Sequence, residues 1–328
     1  MKEILQYLFN HNTLSKAEAK AILTEIAQNK FNENEVTAFV TVFLMRSLTL
    51  EELEGFCEAL MQLAVPINLG ENLADIVGTG GDGKNTFNIS TLTSFIVAGA
   101  GQKVAKHGNY GVSTVSGSSN VLEELGYKFK NNEADLKKDL EKSKLCFLHA
   151  PLFHPALKTV APLRKGLGLR TFFNILGPLV NPAQPKFSVV GVYNLEIARL
   201  YQYLLQNQKR NFTIVHALDG YDEVSLTSDT KIINNFGEKI VAPEDLGFAK
   251  IEAEKLLGGN SIKESAKIFR TILEGNGSYE QNAAVTANAA IVLESTQKFG
   301  DYETCLNLAK ESLESGKALK CLKLLVDS

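Results

Sequence analysis

The chain has 328 residues, 45% of them apolar and 22% charged, enough to bury a sizeable core and to form two domains. Its formal net charge of −3, with Lys and Arg dispersed, argues against non-specific nucleic-acid binding, and no run of eighteen apolar residues suggests a membrane span. The four cysteines, Cys57, Cys146, Cys305 and Cys321, show no CxxC spacing and read as buried or half-buried thiols rather than metal ligands or disulfides.

The N-terminal stretch MKEILQYLFNHNTLSKAEAK lacks a secretory pattern, so the cytoplasm is the expected location. Through residue 64 the signals are helical only. Ser15 with Glu18, Asn32 with Glu35 and Thr49 with Glu52 each place a capping side chain three residues before an acid. Apolar residues then recur at helical spacing: Ile22, Leu23 and Ile26, then Val36, Phe39, Val40, Phe43 and Leu44. Each segment is too short to stand alone, which predicts a small helical domain packed on something larger.

After Pro66 short apolar runs alternate with helical segments. The expected strands are Ala74–Val77, Lys103–Lys106, Leu145–His149, Ser188–Tyr193 and Phe212–His216. The helices among them are Thr91–Ala100, Ser118–Leu125, Glu133–Lys142 and Leu195–Leu205. This alternation predicts an α/β fold with a central, mostly parallel sheet. The Pro- and Gly-rich segment 150–185 is the expected crossing between domains. TKIINNFGEKIVAP reads as a hairpin turning at Phe236-Gly237. The last 80 residues are helix-rich again, with Ser261, Ser278 and Asp301 as starts.

Chemistry concentrates between Asp75 and Gly126. Ile76-Val77 runs into Gly78, Gly80, Gly81 and Gly83, with Thr79 and Asp82 among them, ahead of a helix. Glycine loses the most backbone entropy on ordering, so such a cluster implies that backbone must approach a ligand closely. Phosphate at a helix N-terminus is the usual ligand. A second junction, Lys106-His107-Gly108-Asn109-Tyr110-Gly111, follows the next strand. A third, Ser116-Gly117-Ser118-Ser119-Asn120, opens the next helix. Any one alone reads as a cap or tight turn. Three together read as one phosphate site at the carboxyl ends of parallel strands. Asn88, Ser90, Thr91, Ser113, Thr114 and Ser118 offer amides and hydroxyls there, and Lys106 offers a point charge. The pattern is neither GxxxxGK[ST] nor GxGxxG with a following acid.

GTGGDGKNTFNIST, KHGN and SGSSNVLEELG closely resemble the anthranilate phosphoribosyltransferase family. PLRKGLGLRTFFNILGPLVNP (162–182) and VHALDGYDEVSL (215–226) extend the resemblance over essentially the whole chain. The family works in tryptophan synthesis. It transfers the phosphoribosyl group of phosphoribosyl pyrophosphate (PRPP) to anthranilate. The resemblance implies a helical domain, residues 1–65 joined by part of 160–185, facing an α/β domain, 66–328, across a cleft. It implies a homodimer and two Mg²⁺ per monomer. PRPP contacts carry over to Gly78, Gly81, Asp82, Thr86, Asn88, Ser90, Thr91, Lys106, Asn109, Ser113, Thr114 and Ser118. Anthranilate contacts carry over to Gly78, Asn109 and Arg164, and Mg²⁺ ligands to Ser90, Asp222 and Glu223. A planar guanidinium suits a bidentate grip on a carboxylate. Mg²⁺ is usually held by one or two carboxylates plus substrate phosphates. No acid or base is assigned. His107 is expected in a supporting role, and His149 and His154 as structural or pocket-lining residues.

Two positions depart from the family pattern: Tyr110 where Arg is common and Asn120 where Asp is common. Opposite charges are lost together, which predicts a neutral pair in place of an interacting one. Two rival readings remain. A pyrimidine nucleoside phosphorylase shares the architecture but would need no Asp-Glu metal pair. A non-catalytic nucleic-acid-binding homologue would need a basic face and would lose the glycine loops.

Overall fold

A computed structural model describes residues 1–111, 114–208 and 210–327. Its first helices are α1 (Lys2–Phe9), α2 (Lys16–Ala27), α3 (Glu33–Met45) and α4 (Leu50–Leu63). The three expected capping boxes form at Ser15, Asn32 and Thr49. Glu52 goes further than its box. It is buried, accepts the Leu14 N–H at 2.9 Å, and takes both terminal nitrogens of Arg46 at 2.6 and 2.9 Å. One carboxylate thus ties together the starts or ends of three helices.

Seven strands form one sheet in the order β3-β2-β1-β4-β5-β6-β7. β1 (Ala74–Gly78), β2 (Val104–Gly108), β3 (Leu145–His149), β4 (Phe187–Gly191) and β5 (Asn211–Ala217) run parallel. β6 (Thr230–Asn234) and β7 (Gly237–Val241) are added antiparallel. Their register pairs Asn234 with Gly237, so the hairpin turns at Asn235-Phe236, one residue before the expected Phe236-Gly237. The Asn234 side chain explains the shift: its Oδ1 accepts the Phe236 N–H at 2.9 Å and closes the turn early.

The helices around the sheet are α5 (Ile89–Gly99), α6 (Ser118–Glu124), α7 (Glu133–Ser143), α8 (Ala150–Phe153), α9 (Ala156–Leu167), α10 (Phe172–Leu176) and α11 (Leu195–Asn207). Ser261, Ser278 and Asp301 cap α12 (Ile262–Leu273), α13 (Tyr279–Ser295) and α14 (Tyr302–Glu314) as expected, and α15 (Lys317–Val326) follows.

Strand alternation sends neighbouring residues to opposite faces. Val189, Val215 and Ile232 join a core with α5 and α12–α15, while Val190, Ile214 and Ile233 join a core with α1–α4 and α9–α11. In the second core Phe172 of α10 stacks on Phe56 at 4.7 Å and meets Phe39 and Phe43 edge-on. The Pro- and Gly-rich segment therefore contributes helices to the N-terminal bundle. All four cysteines are buried and free. Among the described residues no helix is long and apolar enough to cross a membrane.

Candidate active site

Strand order reverses between β1 and β4, and the two strands end side by side at Gly78 and Gly191. Such a reversal opens a crevice beyond the carboxyl ends of the strands. Here the chain at Asp222 passes directly over it. A Cβ on Gly78 would enter the Asp222 carboxylate, and one on Gly191 would enter the Asp222 carbonyl. Glycine at both strand ends lets an acidic loop rest on the sheet. The Asp222 carboxylate accepts the Gly80 N–H at 2.6 Å, which joins that loop to the glycine loop after β1. Gly80, Gly81 and Gly83 have φ of +67°, +73° and +77°, a region that side chains disfavour.

The three glycine-rich junctions form one wall. Asn88 Nδ2 donates to the Ser116 carbonyl at 3.1 Å, and Ser118 Oγ to the Asn109 carbonyl at 3.3 Å. The resulting cleft is about 240 Å³. Gly78, Gly81, Asp82, Thr86, Asn88, Ser90, Thr91, Lys106, Asn109, Thr114, Ser118, Arg164, Asp222 and Glu223 all line it. Ser113 lies outside the described residues.

Charge in the cleft is unevenly matched. Lys106 is 2% exposed, and its ammonium donates to the Ile76 carbonyl. Burial lowers its pKa, against the pull of Asp75 and Glu223. Asp75 is buried too and accepts from the His107 N–H at 3.3 Å and Asn181 Nδ2 at 2.8 Å. Burial and then the Asp82 carboxylate push the Asp222 carboxyl up to about 7. Burial and Asp222 raise Glu223 well above the carboxylate range, with Lys106 and the Ser90 N–H drawing it back. Asp82 Oδ2 is buried without a hydrogen-bond partner. Clustered, buried, under-compensated carboxylates fit a cation. Among the described residues, however, no three His, Cys, Asp or Glu side chains converge on one metal position. The donor set therefore fits a hard divalent ion whose other ligands are water and substrate phosphates.

Arg164 stands on the wall made by α9 and α10. It contacts Asn174 Oδ1 at 3.4 Å, lies 5.6 Å from the Phe173 ring centroid, and keeps Nε buried without a partner. Burial lowers its pKa. His107 Nδ1 donates to the Gly177 carbonyl at 3.2 Å, tying the end of β2 to the segment after α10. Burial, and then the neighbouring His154 ring, push His107 down to about 3, so it is neutral at pH 7. His154 bonds the Val180 carbonyl at 2.8 Å, and His149 bonds Ser119 Oγ at 2.8 Å while stacking on Phe129.

Residues 70–319 match the family described as "Glycosyl transferase family, a/b domain", and residues 2–64 match its helical bundle domain. An anthranilate phosphoribosyltransferase of Flavobacterium johnsoniae is 54% identical over 324 residues, covering 98% of each chain. The chain belongs to the anthranilate phosphoribosyltransferase family. Its fold superposes on the crystal structure of that enzyme from Thermus thermophilus with a TM-score of 0.90, at 31% identity and 98% coverage of both chains. The Saccharomyces cerevisiae enzyme in complex with PRPP and Mg gives 0.89 at 28% identity, covering 98% of this chain and 96% of that one. The same yeast protein in complex with 4-fluoroanthranilate gives 0.86 at 28% identity, covering 98% and 95%.

Tyr110 and Asn120, expected as a neutral pair, share no hydrogen bond among the described residues. The Tyr110 hydroxyl donates to Glu123 at 3.3 Å, and its ring meets His149 edge-on at 4.9 Å. Asn120 Oδ1 accepts the N–H groups of Gly111 and Gly117 at 2.9 and 3.0 Å. An amide oxygen accepts from that pair of donors without carrying a charge. Asp75, Asn174 and Asn181 were not singled out from the sequence. The only signal was an acid opening an apolar strand, DIVG.

Proposed function

We propose that this chain transfers the phosphoribosyl group of PRPP to the amine of anthranilate, giving N-(5-phosphoribosyl)anthranilate and pyrophosphate, within tryptophan synthesis. One observation carries the reading. A wall of backbone N–H groups and hydroxyls, an acidic pair and an uncompensated arginine share a single cleft. PRPP would lie along Gly78, Gly81, Asp82, Thr86, Asn88, Ser90, Thr91, Lys106, Asn109, Ser113, Thr114 and Ser118. Anthranilate would lie toward Gly78, Asn109 and Arg164. Ser90, Asp222 and Glu223 would hold Mg²⁺, two ions per monomer. When bound, Mg²⁺ neutralises charge on the departing pyrophosphate.

The chain's own residues supply position. The aromatic amine is neutral and already nucleophilic, so no strong base is needed. Arg164 orients the acceptor's carboxylate, and the glycine loop and the start of α5 orient the donor. The C1–O bond to pyrophosphate breaks as the C1–N bond forms, and the amine then loses a proton to solvent. We divide the chain into a helical domain, 1–65 with part of 160–185, and an α/β domain, 66–328; α9 and α10 pack with α1–α4, in a core that also takes in α11 and one face of the sheet. Tyr7, Phe9 and Met45, exposed on α1 and α3, support a homodimer that covers them. We place the enzyme in the cytoplasm.

The test is the loss of anthranilate fluorescence on mixing with PRPP, Mg²⁺ and protein. Unchanged fluorescence, together with phosphorolysis of thymidine, would favour the phosphorylase reading instead. A gel shift at physiological salt would favour a nucleic-acid-binding homologue.

A further inference from the structure

Arg170 lies outside the residues considered so far, yet it is the side chain packed against the tip of the glycine loop. A Cβ on Gly81 would come within 2.8 Å of Arg170 Nε. Hydrogen bonds anchor that loop on either side of Gly81. The Thr79 N–H reaches the Gly191 carbonyl at 2.9 Å, the Gly80 N–H reaches Asp222 at 2.6 Å, and the Asn85 carbonyl accepts from Gly258 at 2.8 Å. Among the described residues none is made by Gly81 itself. Three left-handed glycines in four positions leave such a tip many conformations. The exposed Arg170 side chain is the neighbour placed to select one.

Arg170 is held in place independently. Its guanidinium lies 4.2 Å from the Tyr193 ring centroid, beyond the end of β4, and among the described residues no carboxylate pairs with it. A cation resting on an aromatic face keeps both its plane and its charge. Arg170 also immediately precedes Thr171, whose N–H donates to Asn174 Oδ1 at 3.2 Å, the same oxygen that Arg164 contacts at 3.4 Å. A short chain of contacts thus runs from Arg164 through Asn174 and Arg170 to Gly81, joining the two walls of the cleft.

We infer that Arg170 is a positioning residue that sets the glycine loop in register with the segment carrying Arg164, so that the donor and acceptor subsites are aligned together. The inference rests on the proposed reaction. It requires a planar guanidinium over the Tyr193 ring and not merely a charge. Removing it should weaken both substrates, whereas a residue contacting one substrate weakens mainly that one.

The experiment measures steady-state kinetics and thermal midpoint for the wild type, Arg170→Lys, Arg170→Ala, Tyr193→Phe and Tyr193→Leu. Arg170→Lys, Arg170→Ala and Tyr193→Leu should each raise the KM of PRPP and of anthranilate by about tenfold or more, since small misplacement is costly in bound geometry. Their thermal midpoints should stay within a few degrees of wild type. Tyr193→Phe should match wild type, because the ring face remains. Recovery of both KM values by Arg170→Lys would overturn the inference in favour of a simple charge effect. A rise confined to one substrate, or no rise at all, would also overturn it. If Arg170→Ala fails to fold, the Lys and Tyr193 variants still decide. A wild type inactive with PRPP and anthranilate would count against the proposed reaction alone. Calorimetry of inorganic pyrophosphate with Mg²⁺ would then decide, with Arg170→Lys expected to bind at least several-fold more weakly and equal affinity overturning the inference.

Discussion

Arg164 is a half-buried cation whose neighbours are an amide and an aromatic ring, and no carboxylate pairs with it among the described residues. A ligand carboxylate would relieve that state. Arg164→Ala should therefore raise the anthranilate KM by the equivalent of about 1.5–3 kcal/mol while changing the PRPP KM little. Equal effects on both substrates in initial-rate measurements would place Arg164 outside the acceptor site. Gly191 makes the opposite kind of contribution, through a missing atom. Gly191→Ala drives a methyl group into the Asp222 backbone, a contact that no rotamer change can relieve. Overpacking of this sort costs roughly 1–3 kcal/mol. The variant should show that loss in urea unfolding together with a large fall in turnover. Wild-type behaviour in both would mean that the Asp222 loop is free to lift.

The acidic loop and the strand ends beneath it work as a unit. Asp222→Asn with Glu223→Gln should nearly abolish turnover, with partial recovery at raised Mg²⁺. The metal-free protein should be no less stable near neutral pH, because burial raises both carboxyls and their ionised forms therefore cost stability. Normal activity at low Mg²⁺ would refute the metal role. Much of this arrangement was legible beforehand because its signals are local. The capping pairs Ser15/Glu18 and Thr49/Glu52 sit three residues apart, and the glycine loop is one continuous stretch. α5 starts at Ile89, two residues before the expected Thr91, because Asn88 ends the loop without capping through its side chain, which reaches Ser116 instead. Asp75 escaped notice because its partners, His107 and Asn181, are 32 and 106 residues away. Tyr110 and Asn120 are a different case, because their partners are only 13, 9 and 3 residues away. Their charges balance on paper, but the hydrogen bonds that matter go to Glu123 and to backbone.

Neutral buried histidines give the whole molecule an acid limit. His107 is pushed down to about 3 and His149 to about 4, in both cases first by burial, against an unfolded value near 6.5. Between those values the unfolded chain binds more protons than the folded one, so stability falls as pH falls below 6.5. Each histidine contributes a slope of about 1.4 kcal/mol per pH unit within its window. His107→Asn, which keeps a donor for the Gly177 carbonyl, should lose less stability than wild type between pH 7 and pH 4.5 in urea titrations. Parallel slopes would show that His107 is protonated in the folded state.

The contact between Asp222 and the two strand-end glycines has one more consequence, for how the cleft opens. With less than a methyl group of clearance, the floor has no room to sink toward the strand ends. The site resembles a vice with one fixed jaw. The expected route for product release is therefore movement of the other jaw, the α9–α10 segment with Arg164. Hydrogen–deuterium exchange should then respond to substrates in residues 164–176 and stay constant along β1 and β4. The speed of the catalytic cycle would be set on the helical side of the molecule, away from the bonds that are made and broken.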